Sequence, residues 1–169
     1  MGRRQQTDRD PALTNVHPIP AGAARLRVAL TQSQTEGWPP FETEVLAGEA
    51  VETSRRYRVV SIPWYAYGLH RGDLVETSVV EDGADADVQV ARVVDRGGHA
   101  TFRFRLVDEE GGEDELSAFL KILAGLACTY EAIEPRFYAV DAPDDAAREM
   151  LREMFTFARA ENSLEFEEG

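Results

Sequence analysis

The chain has 169 residues, 43% of them apolar, with 31 acidic against 18 basic side chains and a formal net charge of -13. That composition supports an ordinary core and excludes a disordered chain. No apolar run approaches the roughly 18 residues of a membrane helix, and the opening Met1 to Asp10 is charged where a signal peptide would be greasy, so the chain reads as a soluble cytoplasmic protein.

Residues 1 to 22 are polar, carry arginines and are punctuated by Pro11, Pro18 and Pro20, with no apolar period. They read as a flexible arm. Residues 23–96 form a small all-β part: Arg25 to Leu30, Phe41 to Leu46, Tyr57 to Ile62, Leu74 to Val80 and Val88 to Val94 are short runs rich in Val, Leu, Thr and aromatics. Five strands at this spacing suggest a small bent sheet or partial barrel.

Residues 97–169 read as an α+β part. Thr101 to Val107 alternates, with Phe102, Phe104 and Leu106 on one face and Thr101, Arg103 and Arg105 on the other, which predicts a half-buried strand. Glu113, Asp114 and Glu115 suit the positive end of a helix carrying Leu116, Phe119, Leu120 and Leu123, with Gly125 as the residue that ends it. Cys128 to Ile133 and Phe137 to Asp141 are two further strands. Pro143 fits a first helical turn, and Ala147, Met150, Leu151, Met154, Phe155 and Ala158 make one apolar stripe until Asn162-Ser163 breaks it. Leu164 and Phe166 then alternate with Glu165 and Glu167. The order strand, helix, strand, strand, helix, strand predicts a ferredoxin-like βαββαβ unit, its first and last strands paired antiparallel. The fold class is α+β, with this unit fused to the small sheet and packed with it as one unit.

Charge is unevenly placed. Residues 1–107 carry 14 acidic and 13 basic side chains, whereas residues 108–169 carry 17 acidic and 5 basic. The acidic half repels phosphate-rich partners, so nucleic-acid binding is not expected, and Phe102 and Phe104 face the helices rather than an RNA. Lys121 is the only lysine; with the wealth of Ala, Gly, Asp and Arg this points to a GC-rich bacterial genome.

Three large aromatics in four residues, Trp64, Tyr65 and Tyr67, follow Pro63 and precede the turn residues Gly68 and Gly72-Asp73. They either plug one end of the small sheet or anchor a ligand or partner. His70 and Asp73, joined by His99, are the one set that could make an acid/base site, although a turn Asp beside glycine commonly caps its own backbone. His17 falls in the arm. No metal spacing, cysteine pair or phosphate-binding glycine motif is present, so no metal or cofactor is expected, and Cys128 reads as a small apolar thiol.

Pro63-Trp64, Gly68-Leu69, Gly72-Asp73, Val75, Gly98 with Thr101 and Arg103, Gly125 with Tyr130-Glu131, and Asp141 with Pro143 together resemble the bacterial family known as domain of unknown function 4265, from about Tyr57 onward. The resemblance implies one integrated unit and carries no functional residue with it. The function expected is a non-catalytic binding or interaction protein, either an immunity- or antitoxin-like inhibitor whose acidic face meets a basic protein or peptide, or a small-ligand sensor. The alternative is a small enzyme centred on His70, Asp73 and His99.

Overall fold

The structure is a computed structural model, which describes residues 14–31, 38–51, 55–79, 87–107 and 112–169. It is an α+β arrangement, mostly sheet, with two sheets and two helices among the described residues.

The first sheet contains β1 (Thr14–Val16), β2 (Ala24–Ala29), β3 (Thr43–Ala50), β4 (Arg56–Val59), β5 (Leu74–Val79) and β6 (Asp87–Asp95). β3 pairs with β2 on one side, and on the other with β1 through its first half and β4 through its second. With β4–β5, β5–β6 and the parallel β2–β6 pairing, five strands close into a ring. Its interior is filled by Leu26, Leu46, Val59, Ala66, Leu69 and Val75. Gly48 permits this packing, since a Cβ there would lie 2.4 Å from the Leu26 side chain. The arm expected over residues 1–22 is corrected at residues 14–17. Thr14–Val16 is a strand parallel to β3, and His17 behind it is buried, because β3 offers a free ladder edge and Glu44 a partner for the imidazole. Residues 1–13 lie outside the described residues.

The second sheet contains β7 (Ala100–Leu106), β8 (Thr129–Glu134), β9 (Phe137–Ala142) and β10 (Leu164–Glu168), in the order β10-β7-β9-β8, with every pairing antiparallel. Arg103 and Arg105 share a sheet face with Glu165 and Glu167, as the alternation predicts, and the register sets Arg103 opposite Glu167 and Arg105 opposite Glu165. Helices α1 (Gly112–Gly125) and α2 (Asp145–Ala160) supply the core over the other face. Phe155 is its hub, with ring centroids 5.1 to 5.5 Å from Phe102, Phe104, Phe119 and Phe166.

Helix ends show how local chemistry sets the elements. Asp144 is the N-cap of α2, its carboxylate accepting the Ala147 N–H at 2.8 Å, so Pro143 stands before the helix instead of in its first turn. α1 ends with Ala127, not Gly125, in the left-handed region. The Cys128 N–H reaches the Leu123 carbonyl and the Ala127 N–H the Ala124 carbonyl, the double bond of a Schellman end. Asn162 closes α2 in the same way. The side chains of Glu113, Asp114 and Glu115, expected at the start of α1, lie outside the described residues.

Met150 departs from the predicted stripe of α2. Ala147, Leu151 and Phe155 are buried, but Met150 is 51% exposed, because the buried row turns away from it around the helix. Phe155→Ala should therefore cost about 3–5 kcal/mol in urea unfolding, the range for emptying a large aromatic site, whereas Met150→Ala should cost less than about 1 kcal/mol.

Candidate functional site

The aromatic segment that stood out in the sequence lies between the ring of strands and the helix-free face of the second sheet. Its main chain is gripped from both sides. Glu44, fully buried on β3, accepts the N–H groups of Trp64 at 2.7 Å, Tyr65 at 3.1 Å and Ala66 at 2.8 Å, while its Oε1 also receives His17 Nε2 at 2.6 Å. Arg103, 1% exposed on β7, donates to the carbonyls of Pro63, Trp64 and Ala66. Two buried charges thus satisfy an irregular segment that has no ladder of its own, as burial requires.

The three aromatics have different roles. Trp64 is half-buried: its indole N–H donates to Glu131 on β8 at 2.8 Å, and its ring lies 4.3 Å from that of His17. Tyr65 is buried against Trp38 and Phe41, and burial, helped by Glu134 and Glu44, pushes its pKa up to about 12. Tyr67 is half exposed; its hydroxyl donates to Glu167 at 2.6 Å and its ring lies under the Arg103 guanidinium. Burial first, then the Glu167 contact, raises its pKa. Trp64 and Tyr65 fill the junction, and Tyr67 alone of the three presents a large exposed surface.

The side chains of His70, Asp73 and His99 make no hydrogen bond to one another among the described residues. Asp73 is fully buried and caps its loop, accepting the N–H groups of His70 at 3.0 Å and Gly97 at 2.9 Å and a bond from Arg96. The His70 imidazole bonds Thr101 at 3.1 Å, and that of His99 bonds Asp141 at 2.8 Å. Burial lowers the His70 pKa, against a smaller opposing effect of Asp73 and with further lowering from Arg96, Arg103 and Arg148. The loops meet because Gly72, at φ +83°, and Gly97 touch through their backbones: a Cβ on Gly97 would lie 2.3 Å from the Gly72 carbonyl carbon. Cys128 is buried, and burial, reinforced by Asp141 and Asp144, pushes its thiol up to about 11, far from a nucleophile's range. No group of three His, Cys, Asp or Glu among the described residues is arranged to hold a metal.

Two features went unread in the sequence. One is a cavity of about 290 Å³ between Trp38 and the polar face of β7 and β10, lined also by Arg103, Arg105, Phe137, Glu165 and Glu167. The other is the outer face of α2, where Met150 and Phe157, 71% exposed, stand two turns apart.

Over residues 44–166 the chain matches the family model described as Domain of unknown function (DUF4265). It belongs to that family. The match to domain of unknown function 4265 starts at Glu44, earlier than the resemblance seen in the sequence, and takes in the whole clamp of Glu44, Pro63–Ala66 and Arg103 while leaving His17 outside. No curated protein matches the chain significantly. Its fold is similar to the crystal structure of a hypothetical protein from Neisseria gonorrhoeae, with a TM-score of 0.66 and 16% identity over 86% of this chain and 92% of that one. That likeness bears on fold alone. Among the described residues no helix is long and apolar enough to cross a membrane.

Arg103→Met should lower the unfolding free energy by about 3–5 kcal/mol in urea titrations, because it strands three loop carbonyls and leaves Glu44 without its counterpart across the segment. A second outcome follows from His70. Its folded-state pKa lies below the ordinary 6.5, so as pH falls through about 6.5 the unfolded chain takes up the proton first and stability drops, levelling once the folded-state pKa is passed. His70→Asn should flatten the acid side of the stability profile relative to wild type.

Proposed function

We propose that this protein is a non-catalytic binding protein of the bacterial cytoplasm that engages a basic partner protein through the outer face of α2. In this reading the second half is a ferredoxin-like unit that acts as one body with the ring of strands. The strand order β10-β7-β9-β8 with both helices on one face supports the first part, and the clamp on residues 63–66 supports the second.

The observation that carries the partner is a one-sided use of charge on α2. Its arginines are engaged within the chain: Arg148 and Arg152 pair with Glu168, and Arg159 lies over the Phe166 ring. Asp145, Glu153 and Glu161 have no ion pair among the described residues and are exposed, while Glu149 reaches only Arg152. Met150 and Phe157 stand exposed, with Glu153 one turn from each and Glu161 one turn beyond Phe157. A face that is apolar at its centre and acidic around it complements a partner with an apolar ridge flanked by Lys and Arg. The charges speed encounter and the apolar pair holds the complex. An inhibitor of the immunity or antitoxin type, meeting a basic toxin, fits this description.

The test is affinity capture from the source cells with wild type, with a Met150→Ser/Phe157→Ser double variant and with a Glu149→Gln/Glu153→Gln double variant, each checked for folding by circular dichroism. The expected result is a basic protein held by wild type and lost by the apolar variant. Its association rate should fall steeply as salt rises, and the charge variant should associate more slowly. A retained set of proteins identical across all three would overturn the proposal.

A further inference from the structure

Independently of the α2 face, we propose that the cavity between Trp38 and the polar face of the second sheet binds a small zwitterion, a free α-amino acid with a large apolar side chain. At about 290 Å³ it lies at the small end of ligand pockets, about 300–1,000 Å³, which suits one amino acid.

The positive end of the site is Arg103. Its Nε and Nη2 are committed to the loop carbonyls, but the buried Nη1 has no hydrogen-bond partner among the described residues. Among the described residues its nearest carboxylate oxygen, on Glu167, is 3.7 Å away and already receives the Tyr67 hydroxyl. The main chain of Gly169 closes the far side of the guanidinium, where a Cβ would come within 2.2 Å of Nη1. Arg105 strengthens the positive end. It lies over the Phe137 ring at 4.7 Å and its nearest ion partner is Glu134, at 3.7 Å, instead of its cross-strand neighbour Glu165.

That displacement leaves Glu165 on the cavity wall with no ion pair among the described residues, so the negative end has a free carboxylate. Trp38 and Phe137, edge to face at 5.7 Å, form an aromatic wall beside both ends. A simple anion would meet Glu165 and Glu167, and a simple cation would meet two guanidinium groups. A zwitterion satisfies both ends: its carboxylate pairs with Arg105 beside the buried Arg103 charge, its ammonium donates to Glu165, and its side chain packs on Trp38 and Phe137.

Isothermal titration of the full chain with L-phenylalanine, phenylpropionate and phenethylamine tests this directly. L-phenylalanine should bind saturably, with each single-charge analogue at least about tenfold weaker. Glu165→Gln should weaken L-phenylalanine by a similar factor without changing Tm, and the Trp38 indole N–H should shift in the NMR spectrum on titration. Absence of saturable binding, equal binding of the three compounds, or an unaltered affinity in Glu165→Gln would each overturn the proposal. None of these outcomes touches Met150 or Phe157, so the α2 proposal stands or falls separately.

Discussion

The structure turns on one short stretch of main chain that cannot pair with itself. Residues 63–66 begin with a proline, carry two large aromatics and belong to neither sheet, yet they sit in the interior. Buried peptide N–H and C=O groups need hydrogen-bond partners. Glu44 takes the N–H side and Arg103 the carbonyl side. Neither charge would be tolerable alone. A buried carboxylate and a buried guanidinium each carry a desolvation cost of several kcal/mol, and here each is offset by peptide dipoles arranged around it. The two ions do not touch; the peptide groups lie between them.

Everything else at the junction follows from that arrangement. Once the segment is fixed, Trp64 lies over His17 and reaches Glu131, Tyr65 fits against Trp38 and Phe41, and Tyr67 is held by Glu167. The apolar cores stay separate, one inside the ring of strands and one under the helices. Contact between the halves is thus largely polar and aromatic. The cavity beside it is bounded by residues from both halves, Trp38 from the first and the β7 and β10 side chains from the second.

Much of the architecture was legible because strand and helix periods differ. Phe102, Phe104, Leu151 and Phe155 announced the second core, and the common face of Arg103, Arg105, Glu165 and Glu167 followed from alternation. The burial of Arg103 was not legible. Alternation within β7 places it away from the helices, and only the docking of the first half on that face removes it from water. Glu44 did leave a signal: it shares strand parity with Leu46, which points into the ring, so a charge at that position had to find buried partners. His17 left almost none, since the three residues of β1 are too few to show a period and the prolines around them mimic a linker. Met150 misled because a helical stripe drawn from hydrophobicity alone is wider than the face a sheet can cover.

The sequence separation within the clamp has a bearing on how the chain is made. Glu44 leaves the ribosome about 20 residues ahead of the segment it holds, whereas Arg103 follows Trp64 by 39 residues. At about 5–20 residues per second, synthesis of that interval takes about 2–8 seconds. β5 and β6, which close the ring of strands, are made within that same interval, so the carbonyl half of the clamp is supplied only after every strand of the ring has been synthesised.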